Sequence, residues 1–188
     1  SVRTTGLNEN TVVALFSARP LNTGTSYMKM WMPASSDVSY FTALAPGAKT
    51  ASSPYQNKPS LVVTMRKEKP AVKEPFVAVY EPISDKVSAG LIESVDRVKL
   101  DPQGEEGCAI KVKTKKGDTF TLVNILKDGP VILNNQKCCA DFAIFAKRKG
   151  KNSVYVGNGS FVENKDFKIE SENRGSFYIE YDLSLIHI

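Results

Sequence analysis

The segment Cys108-Ala109-Ile110-Lys111-Val112-Lys113-Thr114-Lys115-Lys116-Gly117-Asp118-Thr119-Phe120-Thr121-Leu122-Val123-Asn124-Ile125-Leu126 decides the fold class. Apolar and polar residues alternate on both sides of a Lys-Lys-Gly-Asp turn, and alternation at period two is what a half-buried strand requires. The pattern predicts a β-hairpin, with strands over 108–114 and 119–126.

The same period recurs in both directions along the chain. Towards the N-terminus, strands are expected at 11–16, 25–32, 38–44, 61–65, 75–80 and 91–100, with Pro82 removing a ladder donor after the fifth of these. A Pro/Gly/Ser-rich surface loop is expected over 45–59. Towards the C-terminus, Asp128-Gly129-Pro130 turns the chain, and strands follow at 139–146, 153–156, 166–171 and 176–182. No segment reads as a capped amphipathic helix longer than about two turns. Short strands with turn signals between them imply an all-β antiparallel sandwich built from hairpins, with little or no helix. The chain reads as a single β-sandwich region over 1–188, with a sub-boundary near 83–90 where Pro, Ser, Asp and Gly cluster.

Composition narrows the function classes. Hydrophobic residues make up 41% and charged residues 24% of the 188, which excludes wholesale disorder. No run approaches the ~20 apolar residues of a membrane-spanning helix. A single histidine, His187, lies beside the C-terminus, so a catalytic triad or imidazole pair is not expected. The cysteines, Cys108, Cys138 and Cys139, lack metal-ligand spacing, and neither a metal nor a cofactor is expected. They read either as buried free thiols or as one bridge from Cys108 to a member of the adjacent pair. The chain opens at Ser1 with no initiator methionine and no leader, and is read as the C-terminal piece of a longer protein.

Several constellations carry chemical content beside a plainer structural reading. Glu81, Glu93, Asp96 and Glu105 could supply a carboxylate pair, but they also look like solvated strand ends. Gly157-Asn158-Gly159 lacks a following helix and a P-loop lysine, and reads as a turn. Asn158-Gly159-Ser160 matches the N-glycosylation triplet. Net charge is +5, and residues 101–150 hold nine Lys/Arg against six Asp/Glu. Lys111, Lys113 and Lys115 alternate on one strand, and Lys147-Arg148-Lys149 with Lys151 form a second cluster. Neither cluster has the interleaved aromatics of a single-strand nucleic-acid binder, so nucleic acid is not the expected partner. Lysine protection of sheet edges accounts for them, and scattered cations suit an acidic glycan. Arg19, Tyr27, Lys29 and Trp31 are the glycan-contact candidates, because a strand face carrying Tyr, Lys and Trp could stack on sugar rings and pair acidic groups. The plainer alternative puts Trp31 in the core, with Met28, Met30 and Met32 facing a second sheet.

Three stretches together resemble a known family. Thr4-Thr5-Gly6-Leu7, Ser17-Ala18-Arg19-Pro20 leading to Tyr27-Met28-Lys29-Met30-Trp31-Met32-Pro33, and Pro75-Phe76-Val77-Ala78-Val79-Tyr80-Glu81-Pro82 are similar to the C-terminal β region of heparinase II/III-like polysaccharide lyases. Ala140-Asp141-Phe142-Ala143-Ile144 and Gly157-Asn158-Gly159-Ser160-Phe161 resemble the end of such proteins. The resemblance implies a secreted or periplasmic bacterial enzyme that cleaves acidic polysaccharides by β-elimination, with catalytic Tyr and His residues in upstream domains. His187 matches none of those positions, so this chain is expected to be a non-catalytic module that supports the upstream domains and contacts substrate. Arginines and tyrosines could in principle supply an elimination set, Tyr80 or Tyr55 as base and Arg19 or Arg66 as neutraliser, but without the upstream domains there is no cleft of the usual kind to hold the sugar. The alternative is a stand-alone carbohydrate-binding or surface-adhesion module.

Overall fold

Thirteen antiparallel strands and no helix make up the described residues of the computed structural model, which are 2–8, 11–18, 24–35, 38–45, 60–68, 75–84, 90–101, 106–126 and 128–182. The chain divides into two compact units, Ser1–Lys69 with Phe76–Gly90, and Pro70–Pro75 with Leu91–Ile188.

In the first unit, β1 (Val2–Asn8), β2 (Thr11–Ala18), β3 (Ser26–Pro33) and β6 (Val79–Ile83) form one sheet in that order, while β4 (Val38–Ala45) and β5 (Ser60–Lys67) form a hairpin. Alternation explains how the two layers meet. Ala14 pairs with Met30 and Val12 with Met32 across β2 and β3, so these side chains share a face. That face packs on Tyr40 of β4 and on Val63 and Met65 of β5. Met30 and Met32 therefore do face a second layer, filling an irregular gap with flexible side chains, whereas Met28 is exposed. The Tyr40 hydroxyl donates to the Pro33 carbonyl at 3.1 Å, tying the hairpin to the end of β3.

Two strand boundaries here differ from expectation. β1 was not legible as a strand. The strand expected at 75–80 starts at Val79 and continues through Pro82, which pairs with Met28. Because β6 is the edge of its sheet, the missing N–H of Pro82 breaks no interior ladder. The loop expected at 45–59 lies, apart from Ala45, outside the described residues.

The second unit is a single sheet in the order β13 (Lys168–Tyr181), β12 (Lys151–Glu163), β11 (Gln136–Arg148), β9 (Thr119–Ile125), β8 (Gly107–Thr114), β7 (Ile92–Val98). The β8–β9 hairpin has the expected turn, closed by the Thr114 N–H on the Asp118 carbonyl at 2.9 Å. One strand was not foreseen: β10 (Val131–Leu133) pairs with the first part of β11, and β9 pairs with the second part. The 13-residue β11 thus meets two partners in succession along one side, which requires the sheet to bend. Just past β7, Asp101 exchanges both backbone hydrogen bonds with Ile132 of β10, at 2.9 and 2.8 Å, so the sheet curls back on itself. Inside the curl lies the main core, which includes Val123, Ile125, Leu133, Cys138, Phe145, Val154, Val156 and Val162.

The bend passes through bulges. Register shifts between Cys139 and Ala140 in β11, and between Val156 and Gly159 in β12. An extra residue at a bulge flips the face to which later residues point. At both shifts the extra residue lies on β12, and burial there accordingly moves from Val154 and Val156 to Gly159 and then to Val162. The expected Gly157-Asn158-Gly159 turn is this bulge, inside one strand, with Asn158 at φ 50°. A Cβ on Gly159 would lie 2.5 Å from Val156 Cγ1, 2.6 Å from Ala140 Cβ and 2.7 Å from the Cys139 carbonyl oxygen. By contrast, Gly175, its partner on β13, has open space around it. Gly159→Ala is therefore expected to destabilise the protein by about 1–3 kcal/mol through overpacking against backbone, whereas Gly175→Ala changes stability by less than about 0.5 kcal/mol. Urea unfolding of the two variants beside the parent protein checks the difference.

Candidate functional site

Tyr27, Lys29 and Trp31 share one face of β3, opposite the methionines. Lys29 lies directly across from Glu81 on β6, and its Nζ is 6.0 Å from the Trp31 ring centroid. Trp31 is only 3% exposed and Glu81 only 6%. The indole N–H donates to Glu81 Oε2 at 3.0 Å. Trp31 is thus not the exposed stacking ring expected of a sugar platform: burial takes its faces, and the carboxylate takes its polar edge. Tyr27 and Lys29 remain half-buried. Arg19 lies outside the described residues. Gly90, at φ 66°, completes the pocket around Glu81, since a Cβ there would sit 2.6 Å from Glu81 Oε1. Sequence reasoning took Glu81 for a solvated strand end, because the cross-strand pairing that buries it has no local signal.

The other expected carboxylates are dispersed. Glu93 accepts from Lys113 at 3.0 Å, and Asp96 accepts from the Ser94 hydroxyl at 2.9 Å. Glu105, Tyr55 and His187 lie outside the described residues. Tyr80 on β6 and Arg66 on β5 are both exposed.

In the second unit, a groove of about 400 Å³ opens at the mouth of the curled sheet. From the strands come Lys111 of β8, Thr121 of β9, Lys147 of β11 and Asn152 of β12. Facing residues come from two turns, Asn134 and Gln136 at the β10–β11 connection and Lys165 and Asp166 at the β12–β13 connection. Buried Phe145 and half-buried Tyr181 supply its apolar lining.

Both turns have a clear local cause. Asn134 and Asn135, at φ 45° and 66°, form the two-residue connection of a hairpin whose twist demands positive φ at both positions. Asn tolerates that region better than other non-glycine residues. This Asn-Asn pair between Val-Ile-Leu and Gln-Lys-Cys was the available signal for β10. At the second turn, Asn164 Oδ1 accepts from the Asp166 and Phe167 amides at 2.7 and 3.0 Å, and its Nδ2 donates to the Tyr181 hydroxyl at 3.0 Å. Burial, tempered by that donated hydrogen bond, raises the Tyr181 pKa.

At the outside of the bend, Arg174 of β13 joins three segments. It pairs with Asp128 at 2.7 Å, with Asp141, and with the Asn158 carbonyl at 2.7 Å. The Asn158 side-chain amide donates to Asp141 at 2.5 Å. Among the described residues, no group of three or more His, Cys, Asp or Glu side chains could hold a metal ion. Nor do the described residues contain a helix long and apolar enough to cross a membrane. Of the two basic clusters, Arg148 is engaged with an aromatic, lying over Phe120 at 5.4 Å; outside them, Lys137 and Lys168 lie over Phe161.

Comparison with known proteins gives one relationship. The chain is 29% identical, over 160 residues and 81% of its length, to a protein from Formosa agariphila described as an endo-acting ulvan lyase. These residues span 19% of that protein's length. No family model matches the chain, and no solved structure matches it. The similarity relates this all-β chain to a polysaccharide lyase.

Trp31→Phe keeps the apolar contact but removes a donor from a buried carboxylate, and is expected to cost about 2 kcal/mol in chemical denaturation. All three cysteines are free, with Cys138 fully buried and the other two half-buried. Burial first, and the neighbouring Cys139 second, push the Cys138 thiol from 9.0 to about 12. The folded protein therefore holds that proton after the unfolded chain has released it, and stability falls as pH rises from 9.0 towards about 12. Thiol titration of the native protein should label Cys108 and Cys139 while leaving Cys138 unreacted until denaturant is added.

Proposed function

We propose that this chain is a non-catalytic β-sandwich module of a heparinase II/III-like polysaccharide lyase, at the C-terminal side of the catalytic parts, and that the parent enzyme acts on acidic glycans. The observation that carries this reading is the similarity to an endo-acting ulvan lyase over 81% of the chain but only 19% of the relative. That share fits an accessory part of a larger enzyme, and on this reading its work is to support the catalytic domains and to touch substrate. The parent is secreted or periplasmic, where polymeric glycans are met.

Chemistry supports the division of labour. β-Elimination next to a carboxylate needs a base at the departing proton and a cation or donor at the carboxylate. The only histidine in the sequence is His187, and three of the four candidate carboxylates, Glu81, Glu93 and Asp96, are held by Trp31, Lys113 and Ser94. In the first unit, Tyr27 and Lys29, with Arg19, make the contact, and Trp31 supports them from below through Glu81.

The test uses the intact chain with ulvan, polygalacturonate, dextran sulfate and neutral dextran. The expected outcome is retardation in affinity electrophoresis by at least one acidic polymer, weakened by added salt, with no unsaturated product appearing on prolonged incubation. Tyr27→Ala with Lys29→Ala is expected to weaken retention about threefold. Time-dependent formation of unsaturated sugar by the chain alone would overturn the non-catalytic assignment, and absence of retention by every polymer would remove substrate contact from it.

A further inference from the structure

We infer that the groove at the mouth of the curled sheet in the second unit binds an anionic sugar unit, with Lys111 and Lys147 holding its carboxylate or sulfate group. The inference rests on the glycan-binding reading above and locates a contact in a different unit from Tyr27 and Lys29.

Charge is the first argument. Three ammonium groups, those of Lys111, Lys147 and Lys165, line the groove beside one carboxylate, that of Asp166, which lies 3.6 Å from Lys165. Several other cations of this unit are engaged: Lys113 with Glu93, Lys151 with Glu180, Lys168 with Glu170, and Arg174 with Asp128 and Asp141. Among the described residues Lys111 and Lys147 pair with no carboxylate, although Asp96 is the strand partner of Lys111. Asp96 accepts instead from Ser94. Two cations facing one concavity without counter-charges leave a positive potential that low-dielectric walls focus.

Shape and chemistry agree with that sign. A volume of about 400 Å³ lies within the roughly 300–1,000 Å³ typical of ligand sites. Amide side chains from Asn134, Gln136 and Asn152 offer donors and acceptors together, which suits vicinal sugar hydroxyls. Tyr181 and Phe145 give an apolar surface for the C–H face of a ring. The Asn164–Tyr181 hydrogen bond fixes one wall before any ligand arrives. Edge protection, the plainer account of these lysines, does not explain Lys147: β11 is an interior strand, flanked by β9 and β12.

Calorimetric titration of the intact chain with ulvan, polygalacturonate and dextran sulfate tests the site and separates carboxylate from sulfate as the recognised anion. Lys111→Ala with Lys147→Ala is expected to weaken binding at least about tenfold, whereas Lys115→Ala with Lys116→Ala, which removes equal charge from the β8–β9 turn, changes it less than about twofold. Unchanged thermal unfolding of both variants secures the comparison, and Lys111→Arg with Lys147→Arg should restore most of the affinity if folding of the alanine variant is impaired. Equal losses in the two alanine variants, or none in either, would overturn the groove while leaving glycan binding standing. Failure of the parent protein to bind any of the three polymers would overturn both readings.

Discussion

The bend through β11 and β12 is the constraint on which the second unit depends. Without the register shifts at Cys139/Ala140 and Val156/Gly159, 13-residue strands would run straight and expose both faces. With them, one sheet supplies both sides of its own core, and β10 can close against Asp101, a few residues past the end of β7. The bend tolerates little variation, because Gly159 is wedged between Val156, Ala140 and a backbone carbonyl. It also brings the 134–135 and 164–166 turns opposite Lys111 and Lys147, so the groove is a product of curvature more than of any local motif.

Alternation made most strands legible, including the β8–β9 hairpin to within a residue at its turn. What alternation could not show was continuity. The segments 166–171 and 176–182 read as separate strands because Glu172, Asn173, Arg174 and Gly175 look like a turn, yet they form the exposed middle of one 14-residue strand. The β12 ladder holds the strand on either side of this stretch, at Gly175 with Gly159 and at Glu170 with Phe161, while residues 171–174 bulge out of register between them. β10 escaped notice because three residues are too few to establish a period.

The candidate site was legible in residue type and not in placement. Tyr27, Lys29 and Trp31 do share a face, as their spacing requires. Whether that face is open depends on β6, which sets Glu81 across from Lys29 from some 50 positions away. Lys111 and Lys147 were visible only as members of two basic runs. Their meeting across the groove is long-range information, carried by strand order and not by either run.

The Asn158 bulge has a consequence for the sequon it contains. The side-chain nitrogen to which an oligosaccharide would be attached is the one that donates to Asp141, beside the Arg174 guanidinium. In a eukaryotic secretory host, glycosyl transfer would compete with closure of the bend for the same atom. Chains modified before the strands pair would carry a bulky group where three segments converge, while chains that pair first would present an acceptor already engaged. A bacterial host poses no such competition, and the history of the polypeptide would then leave no mark on its fold.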